Sequence, residues 1–190
     1  MKKIILSTAA LFILAGSTFA QEWNMDKAHS QVNFGITHMG INEVDGSFGS
    51  VTAKFTATKD DFSDAVIELS ADVNSLNTGV EQRNNHLKSA DFFNAAQFST
   101  LTFKSTGFKK TGDKTFQLTG DLTLHGVTKP VTLTATFNGT VVNPQSKKTV
   151  AGFKVTGTIK RSDFGIATGF PPAMLSDEVS LVANTEFVKG

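Results

Sequence analysis

Apolar and polar residues alternate along most of the chain, so that one face of each segment is apolar and the other is polar. The segment QVNFGITH shows the pattern, with Val32, Phe34 and Ile36 on one face. A period of two residues is typical of β-strands that bury one face. The same alternation predicts eight strands, at residues 31–38, 50–57, 65–73, 101–105, 116–124, 131–137, 153–161 and 179–187.

Strands with one dry face must close on themselves or pair with a second sheet. Eight such strands, with turn sequences at 111–114 and 125–130, favour an all-β fold, an eight-stranded antiparallel barrel. A β-sandwich is the alternative, because the strand pattern alone does not separate the two architectures. No linker or repeat divides residues 21–190, which we expect to form a single domain.

One stretch, EQRNNHLKSADFFNAAQF at residues 81–98, interrupts the strand pattern. Thr78 and Glu81 stand at the spacing of a capping box, and Leu87 follows at helical spacing. Because a short isolated helix is marginal in water, this one must pack its apolar residues on the barrel. The sequence therefore predicts a short helical insertion near residues 79–97, which either plugs the barrel or covers an opening.

The first residues have the layout of a cleavable secretory signal: a basic start, an apolar run from Ile4 to Leu14, and small residues up to Ala20. The run is too short to span a bilayer, which needs about 20 residues. Ser17 stands where a lipoprotein signal would carry its Cys. We therefore expect residues 1–20 to be a signal peptide, and the mature protein to be periplasmic or secreted after cleavage near Ala20.

Composition narrows the classes of function. Loss of Lys2 and Lys3 with the leader lowers Lys plus Arg from 18 to 16, against 17 acidic residues. A nearly neutral chain without basic clusters gives no electrostatic signal for nucleic acid. There is no Cys, which excludes disulfides, thiolate metal ligands and a thiol nucleophile. The aromatic residues are 17 Phe, one Trp and no Tyr, a set suited to an apolar interior.

Small residues recur in the middle of the predicted inward faces, at Ala53, Ala71, Gly120, Ala135, Gly157 and Ala183. An eight-stranded barrel is just wide enough to be filled by its own side chains or to hold one small ligand. Small side chains favour the second case, with an elongated apolar ligand. Tapering of the barrel or β-bulges are the alternative explanation.

Signals for catalysis or metal binding are weak. No Gly-x-Ser-x-Gly occurs, and the four His residues are scattered at positions 29, 38, 86 and 125, so we predict no catalytic residue, metal or cofactor. Arg161 shares the inward parity of Val155 and Ile159, and a buried Arg needs an anion. Two partners are open, a carboxylate such as Asp91, Asp163 or Asp177, or the polar head of a ligand.

Five motifs in order carry a resemblance over nearly the whole mature chain: HSQVNFGITH (29–38), RNNHLKSADFF (83–93), LTFKS (101–105), LTLHGVTKPV (122–131) and RSDFGI (161–166). Together they resemble the YceI-like polyisoprenoid-binding family. The resemblance implies an exported, lipocalin-like barrel with a helical insertion, which takes a long isoprenoid or related lipid tail and has no established catalysis. Asn84 stands where the family usually has Asp, and Ser99 where Pro is common.

The resemblance and the strand parity together give a set of expected ligand-binding residues. The expected apolar lining is Phe34, Ile36, Phe55, Leu69, Leu87, Phe92, Phe93, Phe103, Gly120, Leu122, Leu133, Ala135, Val155, Gly157, Phe164, Leu181 and Ala183. The expected head-group or rim residues are His38, Arg83, His86 and Arg161. The expected partner is a long-chain isoprenoid or another amphiphilic lipid, held by a carrier or sequestering protein that is not an enzyme.

Other functions remain open at this stage. A hydrolase or isomerase would use His and carboxylate groups around Arg161, and a plugged barrel would serve as a structural or interaction module. The apolar, Pro-rich segment Thr168–Leu175 is a second candidate rim element. It is open whether it forms a portal flap, a homodimer contact or a tip that touches a membrane transiently.

Overall fold

The computed structural model describes residues 20–190, so the predicted leader lies outside the described residues apart from Ala20. Within these residues the chain forms one short α-helix, α1 (Glu81–Lys88), and eleven strands. The strands are β1 (Gln21–Met25), β2 (Gln31–His38), β3 (Asn42–Phe48), β4 (Val51–Ala57), β5 (Val66–Asp72), β6 (Leu76–Asn77), β7 (Thr100–Lys110), β8 (Thr115–Leu124), β9 (Val127–Val142), β10 (Thr149–Lys160) and β11 (Leu175–Lys189).

The sheet closes into a barrel because β1 pairs with strands on both of its sides, antiparallel to β4 and to β11. From β4 the ring continues through β5, β7, β8, β9 and β10 back to β11, which makes eight antiparallel strands with β1. The predicted eight-stranded antiparallel barrel is therefore confirmed over the sandwich. Closure also gives each of these eight strands a partner on both sides, so the ring itself offers no edge for pairing with strands of another molecule.

Three strands of the barrel are interrupted, which the alternation pattern did not predict. β1 and β2 both pair with β11, at Phe187–Lys189 and Leu175–Asn184, and a 3₁₀ turn at Lys27–His29 separates them. β4 and β3 continue one another in the same way, as do β5 and β6. The interrupted pieces β2, β3 and β6 thus extend one side of the wall beyond the closed ring.

The helical insertion is present, but α1 covers only Glu81–Lys88, and turns occupy the rest of the segment up to residue 98. The expected capping box does not form. Val80 is the N-cap and makes no side-chain cap hydrogen bond. No helix within residues 20–190 combines the length and the apolar character needed to cross a bilayer.

Candidate functional site

The barrel encloses a cavity of about 600 Å³. Inward-facing side chains of β2, β4, β5, β7, β8, β9, β10 and β11 form its wall. On β11 the lining extends from Val179 to Phe187, which is about 26 Å of strand at 3.3 Å per residue. Because barrel strands tilt by 35–45°, the depth is about 20 Å. The barrel is therefore hollow, against the alternative of an interior filled by its own side chains.

Aromatic rings close one end of the cavity, which we call the aromatic end: Trp23, Phe55, Phe62, Phe137, Phe153 and Phe187. Trp23 stacks on Phe55 with 5.5 Å between ring centroids, and the edge of Phe62 meets each of them at 5.4 Å. Phe55, Phe153 and Phe187 face the cavity, and the others lie behind them. All but Phe137 are buried, so this end is sealed from solvent.

Phe62 reaches the aromatic end from a polar loop between β4 and β5, where no strand pattern indicates it. Its φ is 59°, a left-handed conformation that a bulky residue adopts only when the surroundings hold it there. The Asp64 carboxylate fixes the loop by accepting hydrogen bonds from the Thr58 hydroxyl and from the backbone N–H groups of Thr58 and Lys59. The Thr58 hydroxyl bond is the main cause that lowers the pKa of Asp64.

The opposite end is open, because solvent-exposed residues line the cavity there: His38, Asn42, His86 and Met174. The turn after β2 and the segment 168–175 lie side by side, since the Met39 N–H donates to the Met174 carbonyl at 2.8 Å. Leu87 of α1 also lines the cavity. The helix therefore borders an opening instead of plugging the barrel.

The turn that follows α1 attaches this border to the barrel through two aromatic residues, Phe92 and Phe93. The Phe93 ring lies 6.3 Å from that of Phe34 and 6.1 Å from that of Phe48. The Phe92 ring contacts Phe170 at 5.1 Å and His86 at 4.9 Å. The insertion thus joins the β2–β3 wall to the segment 168–175 across the open end.

Arg83 lines the cavity and is held in place by Thr78. Its Nε donates to the Thr78 hydroxyl at 2.8 Å, and its Nη2 donates to the Thr78 carbonyl at 2.7 Å. The Asn84 amide oxygen accepts from both the N–H and the hydroxyl of Thr78, at 2.8 and 2.7 Å. Asn84, at the position where the sequence departs from the pattern of the family that it resembles, therefore serves as the acceptor that orients Thr78.

Arg161 is buried, as its parity predicted, and within residues 20–190 backbone carbonyls accept its hydrogen bonds in place of the expected carboxylate. Its guanidinium donates to five backbone carbonyls, those of Ile166, Ala167, Phe170, Leu175 and Ser176, at 2.6–3.2 Å. These bonds occupy all five of its N–H donors. The side chain therefore ties the segment 166–176 to the barrel and offers no free donor to a ligand head group.

The carboxylate nearest in sequence to that segment, Asp177, binds Ser162 instead of Arg161. It accepts from the Ser162 N–H at 3.0 Å and from the Ser162 hydroxyl at 2.9 Å. These bonds, the hydroxyl first, lower the pKa of Asp177 below its ordinary value. Backbone carbonyls satisfy the buried guanidinium because they lie where the chain turns sharply around it.

Most of the predicted lining faces the cavity: Phe34, Ile36, Phe55, Leu69, Leu87, Phe92, Phe93, Phe103, Leu122, Leu133, Ala135, Val155, Leu181 and Ala183. The rim residues His38, Arg83, His86 and Arg161 line it as well. The structure brings these side chains together around one space, and a role in binding remains a prediction for each of them.

Gly120 and Gly157 were predicted to line the cavity, but neither of them does. A Cβ placed on Gly157 would lie 2.3 Å from Cδ2 of Leu133, and one on Gly120 would lie 2.3 Å from Cζ of Phe103. Larger side chains from neighbouring strands therefore cover both glycines. They make room for Phe103 and Leu133, which then form the cavity wall.

Phe164 was also predicted to line the cavity, and it does not. It lies at the end of the 3₁₀ turn Arg161–Phe164, is only 1% exposed and packs in the core outside the lining. Its carbonyl contacts Nδ1 of His125 at 3.0 Å, and His125 lies in the two-residue turn between β8 and β9. That turn has positive φ at both positions, 52° at His125 and 73° at Gly126, as hairpins of this type require.

Sequence reasoning did not single out several lining residues at the two ends. Ile67, Ile159 and Val179 carried the strand signal but no prediction of a pocket, and Phe170 and Met174 lie in an irregular segment without periodicity. Alternation could have identified the first three. Thr78 was predicted only as part of a capping box, and nothing in the sequence indicated that it lines the cavity.

Two of the four His residues, His38 and His86, line the cavity, so the scattered histidines do not form one cluster. His29 lies with Asp26 and Glu186 on the surface, with ligand atoms within 4.8 Å of one another. The Asp26 carboxylate is engaged by the Ala28 N–H and by His29 Nδ1, both at 2.9 Å. The hydrogen bond to Asp26 raises the pKa of His29, and the cluster caps the turn between β1 and β2.

Comparison with known proteins gives one consistent match. The profile of the family described as YceI-like domain matches residues 23–187. Protein YceI of Salmonella arizonae is 41% identical over 193 residues, which covers 100% of this chain and 99% of that protein. The solved YCEI protein of Campylobacter jejuni is 31% identical, with a TM-score of 0.74 over 81% of this chain and 90% of that one.

A more distant solved structure shares the fold alone. It is described as a polyisoprenoid binding domain from Saccharophagus degradans implicated in plant cell wall breakdown. It is 17% identical, with a TM-score of 0.66, and the match covers 88% of this chain and 98% of that one.

Proposed function

The chain belongs to the YceI-like family, and from this membership and its cavity we propose that it binds a long lipid tail, of the polyisoprenoid class, inside the barrel. The observation that carries the proposal is the cavity of about 600 Å³, lined mostly by apolar side chains, sealed at the aromatic end and open at the other. Its volume lies within the range of about 300–1,000 Å³ found for ligand sites. The class of tail is supported by the barrel of the same fold that is described as polyisoprenoid binding.

Burial of a long apolar tail in the cavity would provide enough free energy for binding. Burial of apolar groups contributes about 0.8 kcal/mol per CH₂, and ordering of the ligand offsets part of it. The cavity depth of about 20 Å compares with roughly 15 Å for half of the hydrocarbon core of a bilayer. A tail drawn from one leaflet therefore fits lengthwise. We expect tail length to determine affinity and the open end to determine selectivity.

We propose binding without turnover, as a carrier or a sequestering protein. Within residues 20–190 the ionisable groups that line the cavity are His38, Arg83, His86 and Arg161, with no carboxylate among them. The two lining threonines are engaged: Thr78 by Asn84, and Thr185 by the Phe153 carbonyl at 3.3 Å. General acid–base catalysis needs a proton donor and acceptor placed around a reacting group, and this lining favours retention of the ligand.

Export and a transient contact with a bilayer are part of the same proposal. Export rests on the leader-like residues 1–20. The membrane contact rests on three apolar side chains near the open end, where Met39 is 57%, Ile41 87% and Met174 48% exposed. Exposed apolar side chains that border a lipid cavity can enter the interface while a tail is transferred.

Lipid extraction and mass spectrometry of the purified protein test the proposal, with Ala135→Phe as the variant. Ala135 lines the cavity and is 1% exposed, between Phe116 and Val155 on the neighbouring strands. A ring at this position should occupy the space of the tail. We expect stoichiometric lipid in the wild type and little in Ala135→Phe, with the barrel still folded.

The control is Val141→Phe, which adds a ring on the same strand at a position 66% exposed. It should retain its lipid. An empty wild-type barrel would contradict the proposal. So would unchanged loading of Ala135→Phe together with a stability loss of about 1–3 kcal/mol, the cost of overpacking a solid core.

A further inference from the structure

The ionisable residues that line the cavity within residues 20–190 are all basic. Arg83, His38 and His86 lie at the open end, and Arg161 has no free donor because five backbone carbonyls occupy it. A long lipid that places its tail toward the aromatic end must leave its head beside the remaining three. The character of that head should therefore follow from the charge that these residues present.

Of Arg83, His38 and His86, Arg83 is the residue that is always positively charged. Its Nε and Nη2 donate to the hydroxyl and carbonyl of Thr78, both neutral groups. No carboxylate within residues 20–190 lies within 4.0 Å of its guanidinium nitrogens, since the ion pairs of the described chain involve other residues. Among the same residues, Nη1 makes no hydrogen bond to the protein. The outer edge of the guanidinium, formed by Nη1 and the second Nη2 hydrogen, is available to a ligand.

The surroundings keep this side chain in one orientation without neutralising it. Asn84 orients Thr78, and Thr78 orients Arg83. Because Asn84 is an amide, it accepts these hydrogen bonds without adding a negative charge. A planar guanidinium with two adjacent free donors matches the two oxygens of a carboxylate or a phosphate. A partly buried position strengthens such a pair relative to one in bulk water.

We propose that Arg83 selects lipids with an anionic head, a phosphate or a carboxylate, over neutral lipids with the same tail. The inference rests on the proposed function and adds the class of head group. The oxyanion accepts hydrogen bonds from Nη1 and Nη2 of Arg83 at the open end. His86, one turn further along α1, lies beside the same space, with Nε2 3.9 Å from Asp91 Oδ2.

The test compares the dissociation constants of farnesyl monophosphate, farnesoic acid and farnesol, which share one tail. We expect the wild type to bind at least one of the two anions about tenfold or more tightly than the alcohol. Whichever anion shows the larger preference identifies the head as phosphate or carboxylate. In Arg83→Gln the preference should fall to near unity, because the two anions lose more affinity than farnesol does.

Lys88→Gln is the matched control, because it removes the same charge from the same helix at a residue that does not line the cavity. It should keep the wild-type preference. Arg83→Lys should keep part of it, because the charge remains and the planar fork is lost. A purely structural role for Arg83 would lower the binding of all three ligands together.

Two results would overturn the inference. One is a wild type that binds farnesol as tightly as both anions, a measurement that does not depend on how the variants fold. The other is an anion preference that survives in Arg83→Gln. If the wild type binds none of the three ligands, the proposed function fails as well, whereas normal farnesol binding without an anion preference overturns this inference alone.

Discussion

Replacement of Arg161 by Met should destabilise the protein strongly, although Arg161 forms no ion pair with any residue from 20 to 190. Arg161 is 5% exposed, and its guanidinium donates to carbonyls near both ends of the segment 166–176. Met retains most of the apolar volume and none of the donors. The expected consequence is a segment that detaches from the open end of the barrel while the strands stay closed.

The size of the stability loss depends on which of the five carbonyls can form hydrogen bonds to water once the guanidinium is removed. Phe170, Leu175 and Ser176 are partly exposed, so their carbonyls can rehydrate when the segment relaxes. Ile166 and Ala167 are 5% and 1% exposed, and their carbonyls would lose a charged donor in the interior. A hydrogen bond to a charged group contributes about 1.5–3 kcal/mol, so these two together make about 3–6 kcal/mol.

Urea unfolding followed by Trp23 fluorescence measures this free energy, because Trp23 lies at the aromatic end, away from the substitution. Lys160→Met is the control, since it removes a charge from the exposed neighbouring residue. It should change the stability by no more than about 0.5 kcal/mol. Arg161→Lys should fall between the two, because Lys retains the charge but only three donors.

A loss below about 1 kcal/mol in Arg161→Met would refute the argument, because it would mean that the carbonyls are satisfied without the guanidinium. Lipid loading gives a second check. The freed segment carries Phe170 and Leu175 of the lining, so charged and neutral lipids should both bind less tightly. Selective loss of anionic lipids in this variant would instead assign Arg161 a contact with the head group.

Phe153→Ala should deepen the cavity at the aromatic end, so mass spectrometry should show longer bound tails, at a stability cost of about 3–5 kcal/mol. Phe116→Ala should cost a similar amount without lengthening the tail, because Phe116 is 2% exposed and lies outside the lining. Asp177→Asn should reduce the amount by which the free energy of unfolding falls at acidic pH. The folded pKa of Asp177 is depressed, so its stabilisation is present above its ordinary value of 3.8 and is lost as the pH falls below that value. A chemical-denaturation series across this pH range checks the prediction, and a decrease in stability identical to that of the wild type would contradict it.

Alternation along the chain predicted the closed barrel and most of the cavity wall, because a two-residue period assigns each side chain to a face. It could not predict what fills the space beside a small residue. Gly120 and Gly157 were interpreted as open space, yet Phe103 and Leu133 from neighbouring strands cover them. That depends on strand register and side-chain rotamers, which the sequence of one strand does not contain.

The partner of Arg161 was beyond sequence reasoning for a different reason. Parity placed the side chain inside correctly, but its acceptors are backbone carbonyls, which every residue has and no motif distinguishes. Phe62 was missed in the same way, since it reaches the aromatic end from a polar loop. The short strands β1 and β3 escaped notice because tertiary pairing, more than their own composition, makes them strands.

The sealed aromatic end restricts how a lipid could enter and leave the cavity. A tail that enters a blind-ended barrel must withdraw along the same path. In the proposed carrier role, the donor and the acceptor of a lipid would therefore meet the same face of the protein, at different times. Between the two encounters the whole molecule has to turn or travel. The head group, which enters last, is the first part of the lipid that any acceptor can reach.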